Sequence, residues 1–428
     1  MDALRVQGGV RLSGTTSVDG SKNASLPAMA AAILSQGTVR LRDVPPLSDI
    51  SNMQRLLAEI GCSVDTDDRD VTIRTTDPTS NHARYDIVRT MRASICVLGP
   101  LLAARGEARV SMPGGCAIGD RPVDLHLRGL EALGATIELD GGDIVARADR
   151  LRGTTIFLGG PFGSTVLGTA NVMCAAALAE GTTIIESAAC EPEVACVADL
   201  INAMGRDIRG AGSPRIEIHG VSELGDADMT IIPDRIVAGT LAMAAAMTNG
   251  DVQLTNFPHD HLLAVLDRLS LAGVQVERTD DSQHPARCDV RVTSARRLQP
   301  VLFTTQPYPG YPTDLQAQLM ALLCMAEGNS IVTERIYPDR FLHVSELTRM
   351  GAKLIRNGPT VVVQGGCQLI GAPVMAGDLR GSAALILAGM AARGETIVHR
   401  VYHLDRGYVR LEAQLNALGA GIERFNAD

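Results

Sequence analysis

The stretch Ala24–Gly37, ASLPAMAAAILSQG, with the Thr38–Pro45 run TVRLRDVP that follows it, decides the fold, because the same phrase returns five more times along the chain. It reads as an apolar helix, a turn glycine and a β-rich stretch. A loop then leads to a second, amphipathic helix, MQRLLAEIG at Met53–Gly61, and to CSVDTD. The other copies are ASICVLGPLLAARG with ARVSMPGG, ANVMCAAALAEG with TTIIESAA, AGTLAMAAAMTNG with DVQLTNFP, LQAQLMALLCMAEG with NSIVTERIY, and GSAALILAGMAARG with ETIVHRVY. Their turn glycines are Gly37, Gly106, Gly181, Gly250, Gly328 and Gly394, at steps of 69, 75, 69, 78 and 66 residues. Such self-similarity marks a repeated supersecondary unit. The second helices end at Gly61, Gly134, Gly205, Gly273, Gly351 and Gly419, each placed where a residue just past a helix needs positive φ.

In every unit the first helix is apolar almost all round and the second has a polar face, so the first is expected to be buried and the second more exposed. Thr38, Val39, Arg40, Leu41 and Arg42 alternate as a strand with one wet face. The fold expected is α/β (α+β): a two-lobed, inside-out α/β barrel of six βαβαββ-type units, three per domain, with helices buried and sheets outside. The lobes are expected at 22–232 and at 1–21 plus 233–428, the strand-like Met1–Gly20 returning to complete the second lobe.

Composition excludes several classes. The 428 residues are 46% hydrophobic and 20% charged, an ordinary globular balance. No run of about 18 apolar residues is present and the N-terminus lacks a signal-peptide core, so the expectation is a soluble, cytoplasmic protein with no membrane partner. A net charge of −9 with no basic run argues against nucleic acid as a partner. The nine cysteines fit neither a disulfide framework nor a zinc spacing, and no metal set is expected. The basic residues comprise 37 Arg and only Lys22 and Lys353, which raises the question of what an ammonium does at Lys22.

The chemistry-bearing residues gather at repeat-equivalent positions before the buried helices: Ser21-Lys22-Asn23, Met91-Arg92, Thr165 to Thr169, Asp234-Arg235, Thr313-Asp314 and Asp378-Leu379-Arg380. Helix N-termini favour anions. The loops beyond the first strands are expected to add Asp49, Cys116 with Arg121, Glu191, Arg340 and Arg406. Singly, these are ordinary caps and surface charges. As a set, Lys22, Arg92, Arg121, Arg340, Arg380 and Arg406 against Asp49, Asp314 and Asp378 make a site for a small, highly charged anion, of phosphate and carboxylate character. Cys116 lies in a Gly-rich loop beside Arg121, which would lower its pKa, and reads equally as a structural thiol or as an acid or nucleophile.

Together with these residues, SKNASLP (Ser21–Pro27), TMRAS (Thr90–Ser94), PGGCAIGDRPVDLH (Pro113–His126), EPEV (Glu191–Val194), YPTDLQAQ (Tyr311–Gln318), DRFLHV (Asp339–Val344), DLRGSA (Asp378–Ala383) and HLDRGY (His403–Tyr408) closely resemble the enolpyruvyl transferases over nearly the whole chain. The PGGC loop and the RPVD after it separate the branch acting on a UDP-sugar from the sister branch making enolpyruvylshikimate phosphate. The resemblance implies transfer of enolpyruvate from phosphoenolpyruvate to the 3'-hydroxyl of UDP-N-acetylglucosamine, the first committed step of peptidoglycan synthesis, without metal or organic cofactor. The alternative acceptor is another uridine nucleotide such as UMP. By the same resemblance Lys22, Arg121 and Arg406 hold the phosphate of phosphoenolpyruvate and Arg340 and Arg380 its carboxylate, with Asn23 close by. Cys116 protonates the methylene carbon and is the residue fosfomycin alkylates, Asp314 accepts the hydroxyl proton, and Asp378 assists elimination. Asn23, Arg92, Thr165, Val166, Asp314 and Ile336 contact the nucleotide sugar, and Arg121, Pro122, Val123, Asp124 and Leu125 its uridine end. Leu167, Cys190, Gly377 and Gly381 depart from the residues usual in the family.

Overall fold

The computed structural model describes residues 2–113, 123–280, 284, 286–294 and 297–427. Cys116, Arg121 and Pro122 therefore lie outside the described residues. The described residues form two compact units, one of residues 2–19 with 233–427 and one of residues 20–113 with 123–232.

Among the described residues each unit carries three four-stranded sheets. All six sheets share one plan: a parallel edge strand, the strand that follows a buried helix, a long antiparallel return strand, and the strand that follows the second helix. In the first, Ala227–Thr230 runs parallel to Thr38–Arg42, which pairs antiparallel with Asp70–Thr75, which pairs with Cys62–Asp67. Val39 and Leu41 are fully buried against Ile73 and Val71, while Thr38, Arg40 and Arg42 face outward, the period-2 pattern of a sheet wet on one side.

The amino-terminal segment completes two sheets of its own unit. Asp2–Gln7 supplies the return strand of the sixth sheet, between Glu395–His399 and Gly421–Asn426. Ser13–Ser17 supplies the parallel edge of the fourth, beside Asp251–Phe257.

The first helices form the cores. Every residue of Arg235–Met247 is buried, as is Arg380 through Met390 of Leu379–Ala391 and all but Val166 and Leu167 of Val166–Ala177. Alanine-rich sequences favour helix and allow close helix packing. At Gly239 a Cβ would lie 2.5 Å from Leu315 Cδ1, so glycine is what lets the neighbouring segment approach. The six glycines after the second helices all take φ between 82° and 107°, the left-handed caps the sequence calls for.

Two expectations need correction. The second helix of the third repeat, Pro192–Ala203, buries eight of its residues, including Glu193, instead of presenting a broad polar face. Its sequence PEVACVADLINA is apolar enough to pack against Lys22–Ala31, where it makes many close contacts. Asp49 belongs to helix Ser48–Glu59 and not to a loop, with its carboxylate buried. Among the described residues, no helix is long and apolar enough to cross a membrane.

Candidate functional site

The helix starts divide into two kinds. Ser21, Thr165, Asp234 and Asp378 are ordinary N-caps by their hydrogen bonds: Ser21 Oγ accepts from Ala24 N at 3.2 Å, Thr165 Oγ1 from Gly168 N at 3.2 Å, and Asp234 Oδ1 from Ile236 N at 2.9 Å. Asp378 Oδ1 accepts from the backbone of Arg380 at 2.8 Å and of Gly381 at 3.0 Å. Capping of this kind accounts for a polar residue with no reference to a ligand.

Asp314 is different. The fifth repeat begins with a 3-10 turn, Thr313–Leu315, before helix Gln316–Leu323, and this turn swings the carboxylate away from the helix end, which has no side-chain cap. Asp314 Oδ1 accepts from Arg340 Nη1 at 2.7 Å, and Oδ2 accepts from Arg380 Nη2 at 2.9 Å and Nε at 3.1 Å. The two guanidinium side chains are 6% and 2% exposed, the carboxylate 26%. Burial alone would raise the Asp314 carboxyl, but the Arg380 and Arg340 charges and their hydrogen bonds hold it well below the usual carboxylate range.

Arg380 is also braced from the other side, with Cζ 5.3 Å from the centroid of the buried Tyr408 ring. The Tyr408 hydroxyl lies 3.0 Å from Thr240 Oγ1 and 3.2 Å from Gln318 Nε2, and Gln318 Nε2 reaches the Asp314 carbonyl at 3.0 Å. With its other nitrogens committed, Arg380 Nη1 is buried with no hydrogen-bond partner among the described residues. An unmatched donor on a buried guanidinium is costly, and an anion is the ligand that fits it.

Around this pair stand residues the sequence did not single out. His343 is 2% exposed with neither ring nitrogen bonded among the described residues. Burial pushes its imidazolium down to about 4, against Asp378 and with Arg340. Glu334, fully buried, receives four hydrogen bonds and is tied to Thr313. Arg406 ends the 3-10 turn Val401–Arg406 and acts on His403, whose imidazolium is disfavoured first by burial and then by the Arg406 charge.

In the other unit Lys22 opens helix Lys22–Ala31, and its Nζ lies 3.2 Å from Asp49 Oδ2, the two side chains 9% and 4% exposed. Asn23 follows it, half-buried. Arg92 opens the 3-10 turn Arg92–Val97. It acts on buried His126, which burial and then the Arg92 charge push down to about 4. His126 Nδ1 is 3.0 Å from Asn171 Nδ2, and Asn171 also joins the Ile95 carbonyl and the Gly99 amide. Val123 is buried just before helix Asp124–Ala132, which opens with exposed Asp124 and half-buried Leu125. Val166 starts helix Val166–Ala177 just after the Thr165 cap. Ile336 donates its backbone N–H to Glu334.

The structure thus joins Asp314, Arg340 and Arg380 directly, brings Asp378 to Arg380 through the backbone, and joins Lys22 to Asp49. Glu334, His343, Gln318 and Tyr408 had no sequence signal beyond their places inside quoted motifs or next to them.

The family described as EPSP synthase (3-phosphoshikimate 1-carboxyvinyltransferase) matches residues 6–415. A UDP-N-acetylglucosamine 1-carboxyvinyltransferase of Nitratidesulfovibrio vulgaris (strain DSM 19637 / Miyazaki F) is 51% identical over 425 residues, covering 99% of this chain and 100% of that protein. One from Desulfosudis oleivorans is 48% identical over 424 residues, with 99% of each covered. Among solved structures, the enolpyruvyl transferase NikO from Streptomyces tendae superposes with a TM-score of 0.88 at 26% identity, covering 100% of this chain and 99% of that one. An EPSP synthase from Acinetobacter baumannii gives 0.79 at 18% identity, with 100% of each covered, a likeness of fold.

Proposed function

The chain belongs to the EPSP synthase family and, within it, to the UDP-N-acetylglucosamine 1-carboxyvinyltransferases, and from that premise we infer that it moves the enolpyruvyl group of phosphoenolpyruvate onto the 3'-hydroxyl of UDP-N-acetylglucosamine, releasing phosphate. The observation that carries the reading is the Asp314 carboxylate clasped by two buried guanidiniums, Arg340 and Arg380. The acceptor follows the two relatives, each about half identical over nearly full length, in preference to the more distant NikO.

The roles follow from chemistry. Lys22, Arg121 and Arg406 bind the phosphate of phosphoenolpyruvate. Arg340 and Arg380 bind its carboxylate. Cys116 gives a proton to C3, so that C2 becomes an oxocarbenium-like centre. The sugar hydroxyl adds to C2 and passes its proton to Asp314. C3 then loses a proton with the help of Asp378 while the C2–O bond to phosphate breaks, leaving the enol ether. Asn23, Arg92, Thr165, Val166, Ile336 and Val123 to Leu125 orient the nucleotide sugar. Preorganised cations stabilise each charged state, the main source of rate in such sites.

Asp314 alone is a poor base, because two arginines hold its proton affinity down. A substrate carboxylate on Arg340 and Arg380 draws those charges away from Asp314 and raises its affinity for the hydroxyl proton at the moment it is needed. Phosphoenolpyruvate binding thereby switches on the base. The reading places the protein with its two substrates in the cytoplasm. Incubation of the purified chain with both substrates tests it: the expected products are phosphate and a UDP-sugar enol ether seen by NMR, and recovery of unreacted substrates would reject it.

A further inference from the structure

We propose that Glu334 is a positioning residue for the transfer reaction, fixing Arg340 through the Thr313 hydroxyl and the backbone of Ile336 and Tyr337. The inference rests on the role given above to Asp314 and Arg340, and concerns a residue that touches neither substrate in that scheme.

Glu334 directly follows strand Asn329–Thr333, where a charged residue would ordinarily turn to solvent, yet it is fully buried. A buried carboxylate survives only when its oxygens are satisfied. Oε1 accepts from Thr305 Oγ1 at 2.7 Å, Ile336 N at 2.8 Å and Tyr337 N at 3.0 Å. Oε2 accepts from Thr313 Oγ1 at 2.9 Å. Thr305 Oγ1 in turn accepts from Arg335 N at 2.9 Å. The carboxylate is thus the anchor of the whole turn between the strand and Arg340.

The direction of the bonds matters more than their number. An ionised carboxylate only accepts, so Thr313 must spend its single hydroxyl proton on Glu334. Its lone pairs are then left for Arg340 Nη1, which donates to Thr313 Oγ1 at 3.1 Å while donating to Asp314 at 2.7 Å. The order runs from guanidinium to hydroxyl to carboxylate with one possible polarity. On the other face of Arg340, the Tyr337 ring centroid is 5.9 Å from Cζ, and the Tyr337 amide is one of those Glu334 holds. One buried side chain therefore sets two supports of the guanidinium, Thr313 and Tyr337, beside its bond to Asp314.

Glu334→Gln keeps size and leaves an oxygen for the two amides, but turns an NH2 toward Thr313. The hydroxyl proton then has no carboxylate to meet and competes with Arg340. Thr313→Val removes the relay at its middle. In steady-state kinetics each variant is expected to lose at least about tenfold in kcat/KM for phosphoenolpyruvate. Thr313→Ser, which keeps the hydroxyl, restores the loss seen in Thr313→Val. The double variant Glu334→Gln with Thr313→Val should be no slower than the worse single, because both cut one chain. In both single variants the acid limb of the pH profile should move to higher pH, since a loosened Arg340 no longer holds down Asp314, which faces Arg340 and Arg380 while Arg340 also faces Asp378 and His343. A stability defect alone, checked by thermal melt, moves neither the limb nor the additivity. Wild-type kinetics in Glu334→Gln, or additive losses in the double variant, with Asp314→Asn slowed by about 10²-fold or more, would overturn the inference alone. An Asp314→Asn variant that turns over within a few-fold of wild type would overturn the assignment beneath it, and the inference with it.

Discussion

Replacing Asp314 by asparagine puts the electrostatic reading of the site at risk on three counts. The carboxylate receives three charge-assisted hydrogen bonds from Arg340 and Arg380. Whichever way the new amide turns, its NH2 faces a guanidinium donor. Removing one partner of a buried ion pair costs about 3–5 kcal/mol, and with this carboxylate 26% exposed the lower end, about 3 kcal/mol, is expected. Substrate binding should change the other way. Each guanidinium attracts Asp314 by up to about 4 kcal/mol at close range and an effective dielectric near 20. That attraction competes with the carboxylate of phosphoenolpyruvate, so relieving a third of one such interaction is enough for binding about tenfold tighter, or ~1.4 kcal/mol. Turnover should nevertheless fall by roughly 10²–10⁴, the usual worth of a general base. Calorimetric titration with phosphoenolpyruvate, phosphate release, and urea unfolding read the three effects separately. A variant that binds phosphoenolpyruvate more weakly while keeping wild-type stability would refute the reasoning, as would turnover within a few-fold of wild type.

Three further outcomes follow from the same residues. Lys22→Arg keeps the charge beside Asp49 but puts a planar guanidinium where a compact ammonium fits, and should lose at least about tenfold in kcat/KM; near wild-type kinetics would show that Lys22 supplies only a field. His126, neutral when folded with its pKa at about 4, takes up a proton on unfolding near the ordinary 6.5, so stability should fall as pH drops from about 6.5 to about 4, by up to ~3 kcal/mol. His126→Gln should make that part of the urea-midpoint curve shallower by about half, since buried His343 contributes over the same range, and an unchanged curve would contradict the assignment. Cys116→Ser should abolish alkylation by fosfomycin in an intact-mass experiment, whereas Cys116→Asp keeps an acid for C3 and should resist the drug while turning over; alkylation of wild type only at another cysteine would count against it.

The repeats were legible because two physical demands recur at a fixed step: an alanine-rich run that can be buried on every side, and a glycine that can take positive φ after the second helix. The pattern extended to Asp2–Gln7, whose alternation marks a strand, although only long-range pairing shows that it serves the sixth sheet. Asp234, Asp314 and Asp378 look alike in sequence, each a carboxylate at a helix start. What separates them is a single 3-10 turn at Thr313–Leu315, which takes Asp314 off the cap position and leaves it to the arginines. Glu334 was hidden for a similar reason. Its partner Thr305 is 29 residues away, and no local periodicity announces a carboxylate meant to be buried. Pro192–Ala203 could have been read correctly, since Glu193, Asp199 and Asn202 are too few and too scattered for a broad polar face.

The most direct measurement of the central claim is phosphate release from phosphoenolpyruvate by the purified chain, with UDP-N-acetylglucosamine, UMP and shikimate 3-phosphate offered side by side as acceptors. Rapid release is expected with UDP-N-acetylglucosamine and little with the other two. Equal or faster release with UMP or with shikimate 3-phosphate, or none with the UDP-sugar, would contradict the claim.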